Sequence, residues 1–252
     1  MSSNLQKMPI ERVEDRQTRA SWIASALRAE IIACELRPNA KLNLEQLRDR
    51  FQISLSPLRE AISRLVAEGL VQLEDQRGFR VAPVSVANLS EITLLRAELD
   101  TLALKQSIAQ ANLDWEAAVT GAVYRLDRAC RDSGNVDLQQ SWMDALSDYY
   151  THLLGRQNLP QLCQFTKILR HQMDRYISLL EVFDPRTCQS KAAEYRTIAE
   201  AAIACDEPLA SALLSSQIRR NCQALKVTLD TYLANTEAQA DAHSKPRHTT
   251  RP

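Results

Sequence analysis

The chain has 252 residues, of which 45% are hydrophobic and 25% charged, with 31 Lys/Arg against 31 Asp/Glu. Ordinary globular proportions exclude wholesale disorder, the length favours two compact units on a short linker, and a neutral total gives no electrostatic pointer to nucleic acid. Five glycines and four phenylalanines beside abundant Leu, Ala, Arg and Gln bias the chain toward helix.

Residues 1–15 are polar and weakly patterned and read as a mobile arm. A helix is expected from Arg16 to Cys34, where Trp22, Ile23, Ala26, Leu27 and Ile31 recur at helical spacing and leave Arg19, Ser25 and Arg28 outward. Pro38-Asn39 marks a reversal, because proline suits the first central position of a turn and asparagine tolerates the left-handed conformation next to it. A second helix follows from Asn43 to Phe51. The third, from Pro57 to Glu68, has Ser56 as its expected cap, Pro57 at its first position and Gly69 as its terminator. Its apolar stripe of Leu58, Ile62, Leu65 and Val66 turns Ser56, Arg59 and Ser63 outward, with Glu60 and Arg64 further round. Two short β-patterned runs, 70–73 and 79–82, flank a turn over 74–78. Three helices and a β-hairpin in this order specify a winged helix-turn-helix over residues 16–84.

From Val86 onward no strand pattern occurs. Helices are expected over 87–111, 114–132, 136–155, 159–182, 187–205 and 207–233, separated by breaks such as Asn112, Ser133-Gly134 and Phe183-Asp184-Pro185. The fold class is therefore mainly α, a winged helix-turn-helix followed by a six-helix bundle over 85–233, with residues 234–252 as a disordered tail. Six dispersed cysteines lack C-x-x-C or metal-finger spacing and read as reduced thiols. The absence of a bilayer-length apolar run and of a leader segment points to the cytoplasm and to no membrane partner.

The stretch Ile53-Ser54-Leu55-Ser56-Pro57-Leu58-Arg59-Glu60-Ala61-Ile62, continuing through Arg64 and Leu65 to Glu68-Gly69-Leu70-Val71, resembles the signature of the GntR superfamily of bacterial regulators. The hairpin Asp75-Gln76-Arg77-Gly78-Phe79 is similar to that family's wing. The bundle resembles the FadR-type (FCD) effector domain in length, in helix count, and in its Ile92–Leu99 and Asp148–His152 patterns. The resemblance implies a ligand-responsive DNA-binding regulator, not an enzyme: a repressor released by a small carboxylate metabolite, bound as a homodimer to a palindromic double-stranded operator. The alternatives are a helical metal-dependent hydrolase, or an adaptor that has lost DNA binding.

It assigns Ser54, Ser56, Arg59, Ser63, Arg64, Arg77 and Gly78 to the DNA face. Arg59 is placed to read a guanine bidentately. Arg64 either contacts phosphate or pairs with Glu60 or Glu68, and Arg77 either reaches the DNA or stays a solvated tip. Leu55 stands where the family usually has arginine, and Glu45 where some members do, so either the operator preference departs from the family consensus or the arm residues Arg12, Arg16 and Arg19 compensate. In the bundle, Asp148 and His152 match the first half of the family's metal site, but Tyr195 and Asn221 occupy the positions of the completing histidines. No metal or other cofactor is therefore expected, and Asp148, His152, Tyr195 and Asn221 are expected to line a polar cavity. Arg96 and Arg170 either bind the carboxylate of an organic-acid effector or pair internally with Asp148, Glu98 or Asp100.

Overall fold

A computed structural model describes residues 16–131, 138–156, 158–181 and 183–244. The arm with Arg12, the Ser133-Gly134 break and the last residues of the tail lie outside the described residues. The chain divides into two compact units, one running to Ala82 apart from the Ile32–Cys34 stretch, the other from Pro83 onward.

In the first unit α1 (Arg16–Ile32), α2 (Leu44–Phe51) and α3 (Leu55–Ala67) close on a three-stranded antiparallel sheet of β1 (Lys41–Leu42), β2 (Val71–Glu74) and β3 (Gly78–Val81), in the order β1-β3-β2. The core is the one the periodicity implied: Ile23, Leu27 and Ile31 meet Leu47, Leu58, Ile62, Leu65, Val71 and Val81. Asn39 is left-handed, with φ 66, in a turn closed by Ala40 N–H to the Arg37 carbonyl at 3.0 Å.

Several local details differ from the sequence reading. Strand β1 is absent from it, because two residues carry no alternation to read; Leu42 is held by register with Phe79, and Lys41 with Arg80. Helix α3 starts at Leu55 with Ser54 as its cap residue, so Pro57 sits at the third helical position rather than the first. Proline is tolerated there because the first helical N–H groups have no intrahelical acceptor. Arg28 is not left for solvent: it is half-buried, and its Nε donates to Glu68 Oε2 at 2.7 Å, tying α1 to the end of α3.

The second unit comprises α4 (Val86–Ala109), α5 (Leu113–Arg131), α6 (Leu138–Leu154), α7 (Pro160–Leu180), α8 (Pro185–Ile203) and α9 (Glu207–Ser244). Side-chain caps set several starts. Ser85 Oγ accepts from Asn88 N–H at 3.1 Å, Asn112 Oδ1 from Trp115 N–H at 3.0 Å, and Asp184 from the N–H groups of Arg186 and Thr187. One core packs Trp115, Leu126, Trp142, Tyr149, Leu153, Tyr195 and Leu214; another packs Leu89, Ile92, Met173, Tyr176, Leu225 and Leu229. The expected tail is corrected in part, since α9 continues to Ser244. The four alanines of residues 234–244, with Glu237 and Gln239, favour helix in a stretch that has no apolar period. No helix among the described residues is long and apolar enough to cross a membrane.

Candidate functional site

The outward face of α3 is built by the burial of the other face. Leu58, Ile62 and Leu65 have no solvent exposure, which fixes the helix about its axis and leaves Ser56, Arg59 and Ser63 exposed together, with Ser54 exposed at the cap. Arg59 has no acidic partner among the described residues. Its neighbours in charge differ. Arg64 donates through Nη2 to Glu60 Oε1 and through Nη1 to Ser21 Oγ, both at 2.7 Å, so it is committed within the unit. Arg28 pairs with Glu68, Arg50 with Glu30, Arg48 with Glu45 and Asp49, and Arg80 with Glu74. Among the described arginines of this unit, Arg19, Arg37, Arg59 and Arg77 stay uncompensated. Arg77 sits at the wing tip, between two residues with positive φ, Gln76 (61°) and Gly78 (87°). Arg77 N–H closes the turn onto the Glu74 carbonyl at 3.0 Å.

Inside the bundle Arg96, Tyr195 and Asn221 line one small cavity, Arg170 lines the adjoining one beside Tyr150, and Asp148 lies apart from the first. The inward i, i+4 pair on α6 is Leu146 and Tyr150; both line the small central cavity with Arg96, Tyr195 and Asn221. Asp148 lies two positions away, about 200° round the helix. It accepts from Arg125 Nε at 2.6 Å and lies 3.2 Å from His152 Nε2. His152 itself lines an open groove rather than the central cavity. Among the described residues no three His, Cys, Asp or Glu side chains are gathered to hold a metal ion.

Arg96 is paired within the bundle. It is 4% exposed, its Nε donates to Asp100 Oδ2 at 2.9 Å, and Nη2 lies 2.8 Å from the same oxygen, while Asp100 is fully buried. Burial works against the Arg96 charge, yet Asp100, helped by Tyr150 and Asp174, holds its pKa above the ordinary value. Arg170 is different. Burial draws its pKa down, Asp100 and Asp174 only partly offset this, and Nη1 is buried without a hydrogen-bond partner. The two guanidinium groups stand over the Tyr150 ring at 5.0 and 5.6 Å. Asp174 completes the set, its carboxyl pushed up to about 6 by burial first and by Asp100, against Arg96 and Arg170.

Tyr150, Asp174 and Gln217 were not singled out in the sequence. Asp174 stands four residues after Arg170, a spacing that equally marks a surface ion pair.

Comparison with known proteins gives two successive family matches: "Bacterial regulatory proteins, gntR family" over residues 19–81 and "FCD domain" over residues 91–220. The chain is 31% identical over 204 residues to the HTH-type transcriptional regulator BphR of Paraburkholderia xenovorans, covering 79% of this chain and 82% of that one. It is 27% identical over 195 residues to the HTH-type transcriptional repressor GlaR of Escherichia coli, covering 76% and 89%. Among solved structures, E. coli McbR/YncC superposes with a TM-score of 0.73 at 22% identity, over 82% of this chain and 97% of that one, which supports the same fold.

Proposed function

This chain belongs to the GntR family of bacterial regulatory proteins, with an FCD effector-binding domain, and from that premise we propose a cytoplasmic repressor that holds a palindromic operator as a homodimer and is released by a small carboxylate metabolite. The observation that carries the DNA-binding reading is the outward face of α3, where Arg59 stands exposed between Ser56 and Ser63 with no ion pair among the described residues, while Arg28 and Arg64 are paired with Glu68 and Glu60. A helix so presented fits the major groove, and a free guanidinium on it suits O6 and N7 of a guanine. The wing, with Arg77 beside Gly78, supplies a second contact. Two-fold symmetry follows from the need to read two half-sites, and the repressor sense is supported by the name given to GlaR.

Arg59→Ala tests the reading. Binding to the DNA upstream of the protein's own gene, followed by gel shift, should weaken by roughly 5- to 150-fold per half-site, the worth of one bidentate base contact. Circular dichroism melting should be unchanged, because the side chain touches nothing in the core. Unaltered affinity and sequence preference would remove α3 from the major groove.

A further inference from the structure

Three spaces succeed one another through the second unit. The innermost, about 10 Å³, lies among Arg96, Tyr150, Asp174, Tyr195, Gln217 and Asn221. It has room for roughly one water molecule. The next, about 30 Å³, shares Tyr150 and Asp174 with the first and adds Lys167 and Arg170. The third is an open groove of about 760 Å³, formed where the ends of α4 and α6 meet the starts of α5 and α7, and it shares Thr151, Lys167 and Arg170 with the second. Small-molecule sites typically enclose about 300–1,000 Å³, so the groove is the one of these three that holds an organic ligand without repacking.

We propose that this groove is the seat of a small organic anion whose acid group is held by Arg170 and Lys167 and whose apolar body lies along Trp115. The inference rests on the reading of the bundle as a sensor and moves the ligand away from the central cavity. Four basic side chains, His152, Arg156, Lys167 and Arg170, line the groove against the single acid Asp114. Arg96 is ion-paired with Asp100 at 2.8 Å beside a cavity of only about 10 Å³, whereas Arg170 has no ion pair among the described residues and keeps a buried Nη1 with no hydrogen-bond partner there. A buried donor without an acceptor costs on the order of 1–3 kcal/mol, which an incoming carboxylate or phosphate oxygen recovers.

The walls are positioned in advance. Trp115 is 4% exposed, and its Nε1–H is fixed on the His152 carbonyl at 2.9 Å. Arg156 donates through Nε to the Gln110 carbonyl. Ala118 and Leu154 add apolar lining, so the groove offers a flat hydrophobic wall next to a cationic end. That combination suits an aromatic or short aliphatic acid better than a bare inorganic ion.

Cys163 gives the test its readout, since it is exposed and lines the groove, while Cys205, also exposed, lies outside it. Full-length protein is alkylated with iodoacetamide, and each site is followed by peptide mass spectrometry, with and without benzoate, and in parallel with inorganic phosphate. Benzoate should slow modification of Cys163 several-fold and leave Cys205 unchanged. Phosphate at equal concentration should protect less. Lys167→Gln should weaken the protection, and so should Arg170→Gln, with melting curves showing that each variant is folded; if Arg170→Gln fails to fold, the exposed Lys167 decides alone. No protection, equal protection of both cysteines, or protection untouched by Lys167→Gln would overturn the proposal. Equal protection by phosphate would overturn its organic part. The assay contains no DNA, so its failure leaves the Arg59 reading standing, and failure at Arg59 leaves the groove standing.

Discussion

At Asp174 charge and burial oppose each other. Its carboxyl faces Arg96 and Asp100 from α4, Tyr150 from α6 and Arg170 from α7, and is pushed up to about 6 by burial, ahead of Asp100 and against the two arginines. In the unfolded chain it titrates near its ordinary 3.8. Between those values the folded state holds a proton that the unfolded state has released. The stabilisation is therefore complete below about pH 4 and lost as pH rises through about 6. An uncharged amide in its place would mimic the protonated form. Asp174→Asn is expected to raise stability at pH 7.5 by on the order of 2 kcal/mol, with the gain vanishing near pH 4. Urea melts of both proteins at the two pH values check this; a loss at pH 7.5 would mean that the Asp174 anion is needed to balance Arg170. Part of this network is legible in the sequence, where Arg96 and Arg170 fall inside the bundle and Asp100 is one of the internal partners open to them. The rest is not: Arg170–Asp174 looks like a surface i, i+4 bridge until the helices are packed, and Asp148–His152 looks like an inward pair although α6 faces inward with Leu146 and Tyr150.

Helices α1 to α3 were legible because their apolar residues recur at helical spacing and their ends carry chemical marks. Glu68 caps α3, and Gly69 follows at φ 69, letting Leu70 N–H close back onto the Leu65 carbonyl at 3.0 Å. This turn aims the chain into β2, and so decides where the wing stands relative to α3. An alanine at position 69 meets the left-handed penalty of roughly 1 kcal/mol. Gly69→Ala should lower stability by about 1–2 kcal/mol and weaken operator binding, whereas Ala67→Gly, inside the last turn, should cost only the ordinary propensity term of about 1 kcal/mol. Thermal melts and gel shifts of both variants separate the two effects, and equal behaviour would mean that the α3–β2 turn imposes no conformation on Gly69. Strand β1 and the extension of α9 to Ser244 escaped the same reading for opposite reasons. Two residues are too few to show a period, and the α9 extension is helical by composition, without one.

A net charge of zero argues at first against nucleic acid, and the resolution lies in where the acids sit. In the first unit Glu30, Glu60, Glu68 and Glu74 are each spent on an arginine within reach, as is Glu45 on Arg48. The cations left over among the described residues, Arg19, Arg37, Lys41, Arg59 and Arg77, are exposed and outnumber the unpaired acids Glu35 and Asp75, so the pairing leaves a surface with free positive groups in excess. Counting charges along the sequence cannot see this, because the bridge partners Arg28–Glu68 and Arg50–Glu30 are separated by whole helices. The consequence is measurable. Each phosphate neutralised contributes a slope of about −0.9 to the dependence of log affinity on log salt, and a dimer duplicates every contact. Arg77→Ala should therefore flatten the slope by about two if the wing tip touches phosphate on both half-sites. Arg50→Ala removes the same formal charge from a residue already bound to Glu30, and should leave the slope unchanged or shift it only slightly. Fluorescence anisotropy with operator DNA across a salt series distinguishes them. If both variants flatten the slope alike, binding responds to total charge rather than to the unpaired arginines, and the assignment of Arg77 to the DNA face fails.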